Sequence, residues 1–126
     1  MDVIALAATI GNTGIVNTGG TSGVFTVAVS NIGVAGTVVV SGETSSAAVT
    51  AIVTVCETNP VDSQCLATPS ATVSRTLAQN ETATFGFFVA QTANIVPDFA
   101  AKRIFAKFSQ GTTLRGATSV AVTSGP

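Results

Sequence analysis

Through most of this chain, apolar and polar side chains alternate at every second residue. Val24-Phe25-Thr26-Val27-Ala28-Val29-Ser30 puts Phe25, Val27 and Val29 on one face, and Asn31 and Gly33 end the run with turn chemistry. The same reading predicts a short strand over 37–40, closed by Ser41-Gly42. A third strand has Val49, Ala51, Val53 and Val55 on one face and runs into Cys56; a fourth covers 72–77. Gln79-Asn80-Glu81 turns the chain into a fifth, in which Phe85, Phe87 and Val89 share a face. Ile104, Ala106 and Phe108 mark a sixth, and Gln110-Gly111 leads to a seventh over 117–123 with Val120 and Val122 inward. An eighth strand is predicted over 2–10, where Ile4, Leu6, Ala8 and Ile10 oppose Val3, Ala5 and Ala7. Apolar on both faces, it is expected to lie buried on both. The stretches Gly11 to Gly14 and Asn17 to Gly20 follow it and read as turns. Only 96–102, with Pro97 near its start and Asp98 behind it, offers a helical turn.

Seven to eight short strands at roughly ten-residue spacing, without a βαβ rhythm, predict an antiparallel β-sandwich. Residues 1–126 read as one domain, with 1–23 an N-terminal strand and glycine-rich lead-in. Composition agrees. Charged residues are 9% of the chain, against a usual share of about 25%, and the β-branched Val and Thr outnumber the straight-chain helix formers.

Net charge is −1, and the five basic residues, all between Arg75 and Arg115, form no run, so no nucleic-acid partner is expected. No apolar stretch reaches the roughly 18 residues of a membrane helix, and a small outer-membrane barrel would want aromatic girdles that a chain without Trp or Tyr does not supply. Membrane insertion is therefore not expected. Met1-Asp2 lacks the basic n-region of a signal peptide. That fits either a cytosolic protein or a domain whose leader is missing, and the cysteines favour the second.

The two cysteines, Cys56 and Cys65, flank Glu-Thr-Asn-Pro-Val-Asp-Ser-Gln. A redox motif would want Cys-x-x-Cys, and a closed zinc site would want two more ligands from a chain with no His and no further Cys. One cysteine ends a strand and the other precedes the next. The spacing suits a disulfide across the neck of a loop, worth roughly 2–3 kcal/mol in the chain-entropy model. Two unpaired thiols in a cytosolic loop is the bland alternative. The disulfide implies an oxidising, extracellular or cell-surface location.

The absence of His excludes serine triads, Cys–His dyads and imidazole bases. Six carboxylates remain, Asp2, Glu43, Glu57, Asp62, Glu81 and Asp98, with no close pair in sequence. No calcium loop or phosphate-binding Gly-Lys-Ser/Thr occurs, and no Trp or Tyr offers a sugar platform. The reading is of a non-enzyme with no catalytic or metal residues, no cofactor and no small-molecule substrate.

Three residues break the pattern. Arg75 falls on the face of Val73 and Leu77, which reads as an edge strand whose long stem lies over the core rim with its head in water; a buried functional cation is the alternative. Phe88 and Phe105 fall opposite the inward sets of their strands. Cover by a loop or by the N-terminal strand explains them blandly. The sharper reading is an apolar patch that meets another domain or subunit. With Ile4, Leu6 and Ile10 they form the candidate interface, for neighbouring domains or identical subunits.

"FTVAVSNIG", "LAQNETATFGFFV" and "RIFAKFSQGTTLRGATSVAV" together resemble the Ig-like surface modules of bacteria, including the adhesion-related CARDB-type domains. In those modules a strand ends in Asn-x-Gly, a Leu-Ala-x-x-Glu turn precedes an apolar strand, and a final hairpin closes the sandwich. The resemblance covers residues 24–123 and implies an Ig-like fold and an extracellular spacer or adhesion role within a longer chain, without catalytic residues. The cysteine loop and the apolar start depart from the pattern. The expected function is a structural or adhesive module. The alternative is a self-assembling subunit of an extracellular filament or coat, joined by strand addition of Val3 to Ile10.

Overall fold

In the computed structural model, which describes residues 1–125, nine strands form two sheets. They are β1 (Val3–Thr9), β2 (Ile15–Asn17), β3 (Ser22–Asn31), β4 (Gly36–Thr44), β5 (Ala51–Thr58), β6 (Thr72–Leu77), β7 (Thr82–Gln91), β8 (Arg103–Gln110) and β9 (Thr113–Thr123). One sheet has the order β1-β3-β7-β5 and the other β2-β9-β8-β4-β6. The architecture is an all-β sandwich. Every strand pair is antiparallel except β2 with β9.

The two-residue period decides the core, because successive side chains leave a strand on opposite faces. Phe25, Val27 and Val29 from β3, Phe85, Phe87 and Val89 from β7, and Ile104, Ala106 and Phe108 from β8 are all buried between the sheets. Val55, Val120 and Val122 join them. Phe25 stacks on Phe87 with ring centroids 4.9 Å apart, and Phe85 meets Phe108 edge-on at 6.0 Å. Each buried Phe contributes about 1.5–3 kcal/mol of apolar transfer.

Up to the start of β5, the structure departs from the sequence reading at four places. β1 is an edge strand buried on one face only: Val3 points into the core, while Ile4 and Leu6 are 57% and 73% exposed. A two-faced apolar segment can end a sheet when its second face has no layer above it. The glycine-rich lead-in contains a strand, β2, that runs parallel to β9 with Ile15 opposite Ala121. A turn of 3-10 helix over Ile10–Asn12, with Gly11 at φ 77°, lets the chain leave one sheet and join the other. The second predicted strand does not stop at Ser41-Gly42; β4 runs through them to Thr44, with Gly42 opposite Ala106. Val49 is buried but precedes β5, which starts at Ala51. The stretch 96–102 holds the single turn read from the sequence: the N–H groups of Ala101 and Lys102 both donate to the Asp98 carbonyl, at 3.1 and 2.8 Å.

Candidate functional site

The two outer faces of the sandwich differ in charge. On the five-stranded sheet, Glu43, Arg103 and Lys107 point outward, and Arg115 lies beside the β8–β9 turn. Lys107 is ion-paired to Glu43, and Arg103 donates to Ser119 Oγ at 3.0 Å. On the four-stranded sheet none of the outward positions of β1, β3, β7 and β5 is charged. Its outward apolar residues include Ile4, Leu6, Val24, Ala28, Phe88 and Ile52, and Ile52 is 61% exposed.

The candidate interface residues do not all meet. Ile4, Leu6 and Phe88 share the uncharged face. The Phe88 ring lies over Gly86, with Cε2 3.7 Å from where a Gly86 Cβ would stand. Ile10 sits at the end of that face, in the 3-10 turn, and is 81% exposed. Phe105 is on the opposite face, half-buried, with Glu43 and Ser119 as its cross-strand neighbours. Neighbouring strands half-bury both phenylalanines.

Cys56 and Cys65 are linked, with Cα atoms 5.6 Å apart. Cys56 does not end its strand as the sequence reading expected: β5 continues in register with β7 to Thr58, and the chain returns beside it as isolated bridges, Thr58 to Cys65 and Val55 to Ser70. The Val55 and Ser70 backbones exchange hydrogen bonds at 2.8 and 3.0 Å, and the Leu66 N–H donates to the Glu57 carbonyl at 2.9 Å. The stapled loop thus occupies the outer edge of β5, which would otherwise present unpaired backbone groups for aggregation.

On β6, an edge strand, Arg75 reaches across the sandwich. Its Nε donates to both carboxylate oxygens of Glu57 on β5 at 3.1 Å, and an Nη donates to Glu81 at 3.0 Å. The side chain is 27% exposed, so the stem covers the rim while the head is ion-paired. The hydrogen bond to Glu81, then that to Glu57, raises the Arg75 pKa above its ordinary value. The Arg75 hydrogen bond lowers the Glu81 carboxyl, helped by the Ala78 N–H, which donates at 2.8 Å. The cluster clamps the open side of the sandwich. Spacing along the sequence did not show it, because Glu57 and Arg75 lie on different sheets.

An open groove of about 650 Å³ runs along one end, lined by Ile10, Ile15, Val16, Val24, Pro97 and Phe99 among others, none charged. Among the described residues no three His, Cys, Asp or Glu side chains converge as a metal site, and no helix is long and apolar enough to cross a membrane.

No protein-family model matches the chain, and no curated protein matches it.

Proposed function

We propose that this chain is a non-enzymatic structural or adhesive module with an Ig-like fold, working outside the cytosol at a bacterial surface. The strand order carries the reading. With β1, β3, β4, β5, β7, β8 and β9 taken as A to G, the sheets pair as A-B-E-D and G-F-C, the Ig arrangement. Two additions depart from it: β2 splits the first strand between the sheets, and β6 extends the second sheet beyond C. The Cys56–Cys65 link supports an oxidising location, and the lack of any His supports a role without acid–base chemistry. The resemblance of residues 24–123 to CARDB-type modules is what suggests an adhesion-related role.

The test is mass mapping of freshly secreted protein under non-reducing conditions. Linked Cys56 and Cys65 are expected, and free thiols would overturn the location. A specific hydrolytic activity, abolished by one carboxylate substitution, would overturn the non-enzymatic assignment.

The uncharged outer face favours a second reading, a self-assembling subunit of a filament or coat. Strand addition by β1 is the less favoured route to it. β1 pairs with β3 of its own chain from Val3 opposite Asn31 to Thr9 opposite Phe25, and donation would have to break that whole ladder.

A further inference from the structure

We infer that the outer face of the four-stranded sheet is the surface on which two copies of this chain stack back to back. The inference rests on the structural-module reading and names its partner.

Charge points to a second copy. A charged partner would lose hydration against a face that has no opposite charge to return, whereas a second copy brings a face equally neutral. A net charge of −1 adds little long-range repulsion between copies.

One end of the face can also be dried at small cost. The hydroxyls there are already paired: Ser30 and Thr82 share a hydrogen bond of 2.6 Å, and Thr58 donates to Thr84 at 2.8 Å while Thr84 donates to the Thr58 carbonyl at 3.1 Å. Buried polar groups that already have partners need no water.

Shape and size agree. The register puts Ile4 and Leu6 at one corner, and Phe88 and Ile52 at the diagonal one. Between them lies a lower strip of smaller residues, Ala28 and Thr26 among them, while Phe88 covers Gly86. Two such faces turned by a two-fold axis place bulky corners over shallow floors, as packed sheets interdigitate. Four strands at about 4.8 Å spacing, and about 25 Å of their length, give roughly 500 Å² per copy, hence roughly 1,000 Å² in the pair. That is the threshold of a specific interface and implies a weak dimer, with Kd in the micromolar range.

Sedimentation equilibrium on the intact chain from about 1 μM to 1 mM tests this. The weight-average mass should rise with concentration from 12.5 kDa toward twice that value. Leu6→Lys with Ile52→Lys, at two exposed positions, should leave the circular dichroism unchanged and raise the dissociation constant at least about 100-fold. Leu114→Lys, 52% exposed and on the other sheet, should leave association intact. If the double variant does not fold, Leu6→Ser decides, with a weakening of about 10-fold expected. Wild-type protein that stays monomeric at 1 mM with Cys56 and Cys65 linked overturns the stacking and leaves the structural-module reading in place. Equal loss of association in Leu114→Lys also overturns it.

Discussion

The Asn31 side chain ties the chain's start to the heart of the fold: its Oδ1 accepts a hydrogen bond from the Asp2 N–H at 3.2 Å. The same oxygen accepts from the Gly33 N–H at 3.1 Å, and Nδ2 faces the carbonyls of Val34, Leu77 and Ala78. The Asn31 backbone meanwhile bonds Glu81 and Asn80. One fully buried polar residue therefore joins the N-terminus, the β3–β4 loop and the β6–β7 turn.

Asn31→Ala is expected to destabilise the protein by about 2–3 kcal/mol, because it orphans the buried Leu77 carbonyl and part-buried N–H and C=O groups on three segments. Urea unfolding measures the loss. A loss below about 0.5 kcal/mol would mean that water replaces the side chain.

The Arg75–Glu81 pair should show in the pH dependence of stability. Because the folded Glu81 pKa lies below its ordinary value of 4.5, the folded state holds this carboxylate ionised more readily than the unfolded chain. Its stabilisation is present above that ordinary value and is lost as pH falls through the lowered folded pKa. The Tm advantage of wild type over Glu81→Gln should therefore be present at pH 7 and shrink below about pH 4. An advantage unchanged at pH 2.5 would count against the clamp.

Gly42→Ala is expected to cost about 1–3 kcal/mol by overpacking. A Cβ at Gly42 would overlap Val53 Cγ1 across the sandwich and stand 3.1 Å from Val53 Cβ. Val53→Ala should relieve that overlap, so the double variant loses less than the sum of the single losses. Additive losses in the double-mutant cycle would show that the backbone shifts instead.

Cys56→Ser with Cys65→Ser is expected to cost about 2–3 kcal/mol from loop entropy. Hydrogen exchange at the Val55 and Ser70 amides should accelerate more than at Val27, since the loop loses its hold on the β5 edge. Uniform acceleration would show that the staple acts on the whole fold and not on the edge.

Deleting residues 1–17 is expected to abolish cooperative unfolding. Val3 and Val16 are core residues, and the deletion strips the edges of β3 and β9 of their partners. A full chain that polymerises and falls to folded monomers on deletion would instead support strand donation between copies.

Local chemistry was enough to determine the longer strands and, β1 apart, their inward faces. Alternation is a property of neighbouring residues, so Phe25, Phe85 and Ile104 announced their burial before any pairing was known. The disulfide was legible for a similar reason: with only two cysteines and no His, few partners compete. Arg75 on the apolar face of its strand marked the β6 edge, but the β1 edge and the contacts between sheets were not legible. Leu6 looks as buried as Val3 in sequence, and its exposure follows from β1 lying at the end of a sheet with no layer above its outer face. Gly42 reads as a turn because glycine usually marks one, yet it lies within β4, where Val53 leaves no room for a larger side chain. Ile15–Asn17 is too short to announce itself, and it becomes a strand only because β9, more than a hundred residues on, offers an open edge. Arg75, Glu57 and Glu81 meet only when β5 and β6 are brought to the same side of the sandwich. Such contacts depend on chain closure over long separations, and the two-residue period carries no information about them.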